Sequence, residues 1–317
     1  MSKFRYIVTH SDADCSIKEL VRNNFSFSSR MMARIKRANC IYLNGEPVRL
    51  FIVPNPGDVI DVDLPEEHSD FIPQNIPVIP VFEDDDLLII NKPAGYVVHP
   101  TAGHPVNTMA NGIAKYIIDT NQSFKVRFIN RLDMDTSGLL IIAKNAHCQE
   151  TISKQMKAGQ VSKKYIALVT GILEKETGTV DLPIGRPDPE RVERGVMENG
   201  HPSVTHYTVL RRFKQITKTT SDSSTENTNG GFSLVELSLE TGRTHQIRVH
   251  MSHIGHPIVS DHLYGKENAR LIERQALHAH FVSFYHPATG EFMELSAEIP
   301  ADIQNLIRKL EKSTPHL

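Results

Sequence analysis

The chain has 317 residues, 39% of them hydrophobic and 23% charged, which suits one large domain or two to three smaller ones with an apolar core. The net charge of −2 speaks against a strongly basic nucleic-acid binder but leaves room for a local basic patch, and no apolar run approaches the ~20 residues needed to span a bilayer. Three cysteines without metal-like spacing and sixteen histidines without a His-Glu-x-x-His or paired-ligand pattern point to a reduced, cytoplasmic protein with no metal; Met1–Arg5 leads into no apolar segment, so no signal peptide is expected.

Residues 1 to about 65 read as a compact unit. Ile17, Leu20 and Val21 suggest a first amphipathic helix, and a second runs from Ser29 to Ala38, capped by Ser28. Ile41-Tyr42-Leu43 reads as a strand, Asn44-Gly45 as a hairpin turn, and Val48 and Leu50 as its return strand. Pro56-Gly57-Asp58 is a turn before Val59-Ile60-Asp61-Val62. Spacings of four and three put Arg30, Arg34 and Arg37 on one helix face, with Lys36 and Arg49 nearby. A solvated helix face is the plain alternative to an anion-binding one.

Residues 66–80 carry Pro73, Pro77 and Pro80 and read as an extended tether. From 81 to 302 the chain is strand-rich, with buried-type strands at Leu87–Ile90, Leu139–Ala143, Tyr165–Val169 and Ser233–Leu237. The elements do not alternate regularly as βαβα, which favours an α+β fold with a mixed, largely antiparallel sheet. Residues 214–231 read as a mobile polar insertion between two strands, and 303–317 as a C-terminal helix and tail.

The stretch Asn130-Arg131-Leu132-Asp133-Met134-Asp135-Thr136-Ser137-Gly138 places two carboxylates and an arginine on a turn feeding a buried strand. Buried charge is costly unless it is paired or used. Taken locally, Asp133 and Asp135 fit an acid pair or Mg²⁺ site, one working carboxylate with a supporting acid, or a turn with side-chain caps. Gly242-Arg243-Thr244-His245-Gln246-Ile247-Arg248-Val249-His250 is the second dense stretch. If extended, it aligns Gln246, Arg248 and His250 on one donor-rich face suited to phosphate or carboxylate. Tyr165, at a strand start, is either a core-edge residue or a platform for a flipped base.

These segments together resemble the RluA/RluD-type pseudouridine synthases. The carrying motifs are Asp84–Gly95 with Val97-Val98-His99-Pro100, Arg131-Leu132-Asp133 with Thr136-Ser137-Gly138-Leu139, Lys164-Tyr165 with Val169-Thr170-Gly171, Gly242–Arg248, and Leu277-His278-Ala279. The Arg-rich helix, the Asn-Gly hairpin and the Pro-Gly-Asp turn resemble the S-four-like RNA-binding module, so the match covers essentially the whole chain. The resemblance implies an enzyme that converts uridine to pseudouridine in structured RNA, most readily large-subunit ribosomal RNA, as a monomer and without cofactor. Transfer RNA as substrate, or a non-catalytic RNA-binding or ribosome-assembly protein, are the alternatives.

By the same resemblance Asp133 is the catalytic carboxylate, Arg248 its cationic partner, and Tyr165 the partner of the uracil ring, its hydroxyl assisting proton removal at carbon 5. Arg131 fills the gap left by the flipped nucleotide, where flipping costs a few kcal/mol in a duplex. Arg30, Arg34 and Arg37 belong to the RNA-binding module. Lys92, Lys144 and Arg243 are candidates for phosphate contact or scaffold support. The chemistry needs an ionised carboxylate, which an Asp of ordinary pKa, about 3.9, already supplies at neutral pH. The family often has His where this chain has Asn130, which cannot titrate near neutral pH.

Overall fold

The computed structural model describes residues 3–25, 27–65, 67–188, 190–214, 230–265 and 271–313. The chain opens with β1 (Lys3–Ile7), α1 (Ile17–Phe25), α2 (Ser29–Arg37), β2 (Ile41–Leu43), β3 (Glu46–Pro47) and β4 (Val59–Asp63). Ile17, Leu20 and Val21 of α1 and Met31 and Ile35 of α2 bury one stripe each, the helical spacing at which apolar residues align. The Ser28 side chain caps α2 by accepting from the Met31 amide. These stripes pack on a sheet of order β1-β4-β2-β3 and form an apolar cluster of their own. Asn44 and Gly45 both take positive φ, 52° and 88°, as the tight β2–β3 hairpin requires.

The return strand is shorter than the sequence pattern predicts, ending at Pro47 rather than running through Val48 and Leu50. Leu50 and Ile52 turn back instead, and their carbonyls accept the Lys18 and Ile17 amides at the start of α1. Strand β1, which the sequence pattern does not mark, completes the sheet against β4.

The second body comprises β5 (Pro80–Glu83), β6 (Leu87–Lys92), α3 (Met109–Asp119), β7 (Arg127–Phe128), β8 (Ser137–Ala143), α4 (Ala146–Lys157), β9 (Ser162–Thr170), β10 (Thr177–Asp181), β11 (Ile184–Gly185), β12 (Gly195–Val196), β13 (Val204–Lys214), β14 (Gly231–Leu239), α5 (Gln246–His253), β15 (Leu277–Tyr285), β16 (Phe292–Ser296) and α6 (Ala301–Ser313). Its sheet runs β10-β13-β14-β9-β15-β8-β6-β5, with β16 on β15 and β7 on β8. Among the described strands only β15 and β8 pair in parallel, over His278–Ser137 and Ala279–Gly138. The fold is therefore α+β with a largely antiparallel sheet.

Strands β6 and β8 are apolar almost without interruption because both faces are covered. Leu88, Ile90, Leu140 and Ile142 join the cluster that includes Met109 and Ile113 of α3 and Ile303 and Leu306 of α6. Leu87, Ile89, Leu139 and Ile141 join Cys148 and Ile152 of α4 on the other side. The proline-bearing segment is extended, yet it is strapped down along its length. Ser69 accepts the Val126 amide, the Ile72 carbonyl accepts from Asn111, and Ile76 is buried in the main core. The polar insertion falls largely on residues 215–229, which lie outside the described residues; Lys214 and Gly231 still pair across β13 and β14. The two bodies meet where Phe4 and Phe27 set their edges on His147 of α4, and where Glu67 joins Arg34 to Arg127.

Candidate active site

The turn that ends in β8 is held from every side. The Thr136 amide donates to the Asp133 carbonyl at 3.1 Å and closes it. The Met134 carbonyl accepts from Lys92 Nζ at 2.8 Å and from the Gly95 amide at 3.0 Å, and the Asp135 carbonyl accepts from Arg274 Nη1 at 3.0 Å. Asn130 clips the incoming segment to β8, donating Nδ2 to the Leu139 carbonyl at 3.0 Å and accepting the Ile141 amide at 2.8 Å. This is work for an uncharged amide, so the position needs no titrating group. At Gly138 (φ 116°) an added Cβ would lie 2.2 Å from the Ala279 carbonyl oxygen, closer than real Cβ atoms come, so only glycine lets β8 meet β15 there.

Asp133 emerges from this turn facing Arg248. Arg248 Nη1 donates to Asp133 Oδ2 at 3.1 Å. The rest of the guanidinium grips Asp261, Nε to Oδ2 at 2.7 Å and Nη2 to Oδ1 at 2.8 Å, and its plane lies over the Tyr264 ring at 5.1 Å. Burial disfavours the charged guanidinium, but the bonds and charge of Asp261, then Asp133, outweigh it and push Arg248 upward. Arg248 is thus a fixed cation with one edge offered to Asp133.

Asp133, Arg131, Tyr165, Arg243 and Arg248 line one cleft of about 760 Å³, together with His99, Lys157, Lys163 and His245. Tyr165 on β9 is buried, and burial, reinforced by the Asp133 charge, pushes its phenol far above the ordinary value. Burial thus favours the protonated hydroxyl, and the residue lines the cleft beside Asp133. Arg131 and Arg243 are exposed where they line this cleft.

Two sequence expectations need correction. Gln246–His253 is the helix α5, not an extended surface strand, and Gln246 through Met251 are all buried. Its polar side chains are satisfied internally: Gln246 bonds Thr241, Val204 and Thr205, and His250 bonds Thr205 and the Leu182 carbonyl. Polar residues on every side of a buried helix mimic a period of two. Asp133 and Asp135 lie on the turn on which the sequence puts them, closed by the Thr136 amide. Lys92 is fully buried and cannot touch phosphate; its ammonium instead ties the Pro93 and Met134 carbonyls together, and burial pulls its pKa down to about 7. Lys144 takes the scaffold side of its two readings, bound to Glu83, Gln122 and the Asp84 carbonyl.

On the N-terminal unit, Arg30 and Arg34 face α4 across a small cleft, and Arg34 pairs with Glu67 at 3.1 Å. Arg37 is exposed. A larger groove, about 880 Å³, opens on another side between α1, α2 and residues 48–51, lined by Lys18, Arg22, Lys36, Arg49 and Phe51.

Asp261 and Tyr264 are site residues that no sequence motif singles out, and His245 lies in the Gly242–Arg248 motif but has no role assigned there. A buried arginine demands more than one carboxylate oxygen, so a second acid near Arg248 is implied, but nothing local to Val259-Ser260-Asp261 marks it. Among the described residues Asp84, Asp86 and His286 come together as a ligand set would. His286 Nδ1, however, accepts the Ala288 and Thr289 amides, so its proton belongs on Nε2, 2.8 Å from Asp84 Oδ2. A ring in that state has no lone pair for a metal.

The family model described as RNA pseudouridylate synthase matches residues 86–253. The chain is 39% identical over 277 residues to the uncharacterized RNA pseudouridine synthase YlyB of Bacillus subtilis, covering 86% of each chain. It is 38% identical over 269 residues to ribosomal large subunit pseudouridine synthase D of Haemophilus ducreyi, covering 80% of this chain and 78% of the relative. Its structure matches human RNA pseudouridylate synthase domain containing 1 with a TM-score of 0.56 at 25% identity, covering 76% of this chain and 97% of the other.

Proposed function

Because the chain belongs to the RNA pseudouridylate synthase family and isomerises uridine to pseudouridine, we propose that it acts on ribosomal RNA of the large subunit with Asp133 as its catalytic carboxylate. The kinship with large-subunit pseudouridine synthases supports the substrate. The observation that carries the residue assignment is the 3.1 Å contact from Arg248, itself gripped by Asp261, to Asp133 inside a cleft floored by Tyr165.

The reaction breaks the bond from uracil nitrogen 1 to ribose carbon 1′, turns the base, and joins carbon 5 to carbon 1′. The proton on carbon 5 is lost and nitrogen 1 gains one, so atoms and electrons balance without a redox step. Asp133 supplies a carboxylate at the breaking bond. Arg248 holds it in place and keeps its charge compensated once the nucleotide excludes water. The buried Tyr165 ring offers a flat apolar face to the extruded uracil, and Arg131 at the rim fills the space the nucleotide vacates. Arg243 at the cleft edge is placed for a phosphate.

The N-terminal unit, residues 1–65, is in this reading an S-four-like RNA-binding module that engages RNA through the groove of Lys18, Arg22, Lys36 and Arg49. Residues 81–302 form the catalytic body, and a cytoplasmic location fits a substrate of this kind. Among the described residues no helix is long and apolar enough to cross a membrane. Mapping pseudouridines in total RNA from cells with and without the gene tests the substrate: sites that disappear from large-subunit ribosomal RNA support it, and sites that disappear only from transfer RNA overturn it.

A further inference from the structure

His245 stands at the N-terminus of α5 in the left-handed region, φ 59° and ψ 17°, a conformation that non-glycine residues adopt at a cost. That backbone turns its ring into the cleft. Nε2 lies 3.9 Å from Asp133 Oδ2, and Nδ1 lies 2.8 Å from the Tyr264 hydroxyl. No part of the reaction described above uses this ring.

Its tautomer follows from a chain of donors. The Tyr264 oxygen accepts the Arg194 amide at 2.7 Å, so it is already filled as an acceptor on that side. Its own proton then goes to the nearby ring nitrogen, His245 Nδ1. A neutral imidazole that accepts at Nδ1 carries its proton on Nε2. The surroundings agree, because an Nε2 lone pair would face the Asp133 carboxylate, whereas an Nε2–H faces it favourably. Burial also disfavours the imidazolium, though the Asp133 charge opposes this.

We propose that His245 is a catalytic residue in the sense of contact with substrate: a neutral Nε2–H donor, fixed by Tyr264, that binds an oxygen flanking the glycosidic bond of the flipped nucleotide, either the ribose 2′-hydroxyl or a uracil carbonyl. At 3.9 Å the donor is too far to spend its bond on Asp133, and this gap leaves it free for the substrate. The αL backbone and the Arg194–Tyr264–His245 relay together fix the orientation of that single donor before substrate arrives. The inference rests on the reading of the cleft as the uridine site.

The test is ¹⁵N NMR of the histidine rings in the full chain at pH 7, with His245 identified by the disappearance of its signal in His245→Asn. The Nε2–H tautomer is expected, and Tyr264→Phe is expected to release the ring into a mixture of tautomers. An imidazolium or an Nδ1–H ring in the unsubstituted protein overturns the proposal. In single-turnover assays, His245→Asn tolerates the αL backbone but cannot reach the cleft, and its rate should fall on the order of 10²-fold with RNA affinity little changed. His245→Gln, which extends an N–H to the same place, should recover most of that rate. Equal rates for His245→Asn and the unsubstituted protein also overturn it. Absence of synthase activity in the unsubstituted protein would instead refute the reading of the cleft, whatever the tautomer.

Discussion

Arg248 reaches Asp133 across 115 positions of sequence and spends only one of its hydrogen bonds there, Nη1 to Oδ2 at 3.1 Å. Its other two bonds belong to Asp261. The guanidinium is therefore positioned independently of Asp133. Asp133→Asn should leave Arg248 in place and the fold intact, lower pseudouridine formation by at least roughly 10³-fold, and keep RNA binding within a few-fold. Mass spectrometry of modified RNA and filter binding measure the two quantities. Substantial residual conversion would sink the assignment of Asp133.

Asp261→Ala removes the group that orients Arg248 and leaves a buried cation facing one carboxylate. A drop of about 3 kcal/mol in unfolding free energy is expected, since breaking a buried pair strands its partner. Activity should fall roughly 10²-fold through misplacement of Arg248. A variant with full stability would mean that the grip on Asp261 is not what holds the arginine.

Lys92 gives the chain a pH dependence. Its folded pKa is about 7, against about 10.4 in an unfolded chain, so between those values the unfolded state binds more protons. Stability attributable to Lys92 should rise with pH across that window, by at most about 1.4 kcal/mol per unit, and stay level below it. In Lys92→Met this rise disappears. Urea unfolding of both proteins at about pH 6.5, 7.5 and 8.5 checks the sign; parallel profiles would contradict it.

The basic groove on the N-terminal unit separates arginines by what they already hold. Lys36→Glu combined with Arg49→Glu should weaken RNA affinity and flatten its salt dependence, by about 0.7 to 0.9 in the log–log slope for each phosphate no longer neutralised. Arg34→Ala should leave that slope unchanged, because Arg34 is paired with Glu67. Affinity titrations between about 50 and 300 mM salt, on the order of the Debye-screened range, distinguish the two. A flattened slope in Arg34→Ala would place the RNA on the opposite side of α2.

Local signals in the sequence are strong where a single element decides the outcome. The Ser28 cap, the Asn44-Gly45 turn and the runs of β6 and β8 depend on neighbours within a few positions, and they appear where the pattern puts them. The failures share a cause. Gln246–His250 alternates polar and apolar as a surface strand would, yet its polar groups are answered by Thr205, Leu182 and Asp261, none of them adjacent in sequence. Lys92 looks like a phosphate ligand until the Met134 carbonyl, 42 positions away, takes its ammonium. A charged side chain advertises its chemistry but not its partner, and the partner decides whether it meets solvent.

Strand β15 lies between β9 and β8, bonding to both, although β8 and β9 are neighbouring strands in sequence. During synthesis, then, the strand after Asp133 and the strand bearing Tyr165 are complete long before the strand that joins them exists. Until residues 277–285 arrive, β9 lacks its partner on that side, while β8 is covered there only by β7, Ile129 and Asn130. Closure is a late, long-range event, slow by the logic of loop entropy. A chain stopped short of β15 would leave that edge of β9 unpaired, and an unpaired edge is where aggregation starts. Catalytic competence and protection from aggregation thus arrive in the same step, when that one strand slides home.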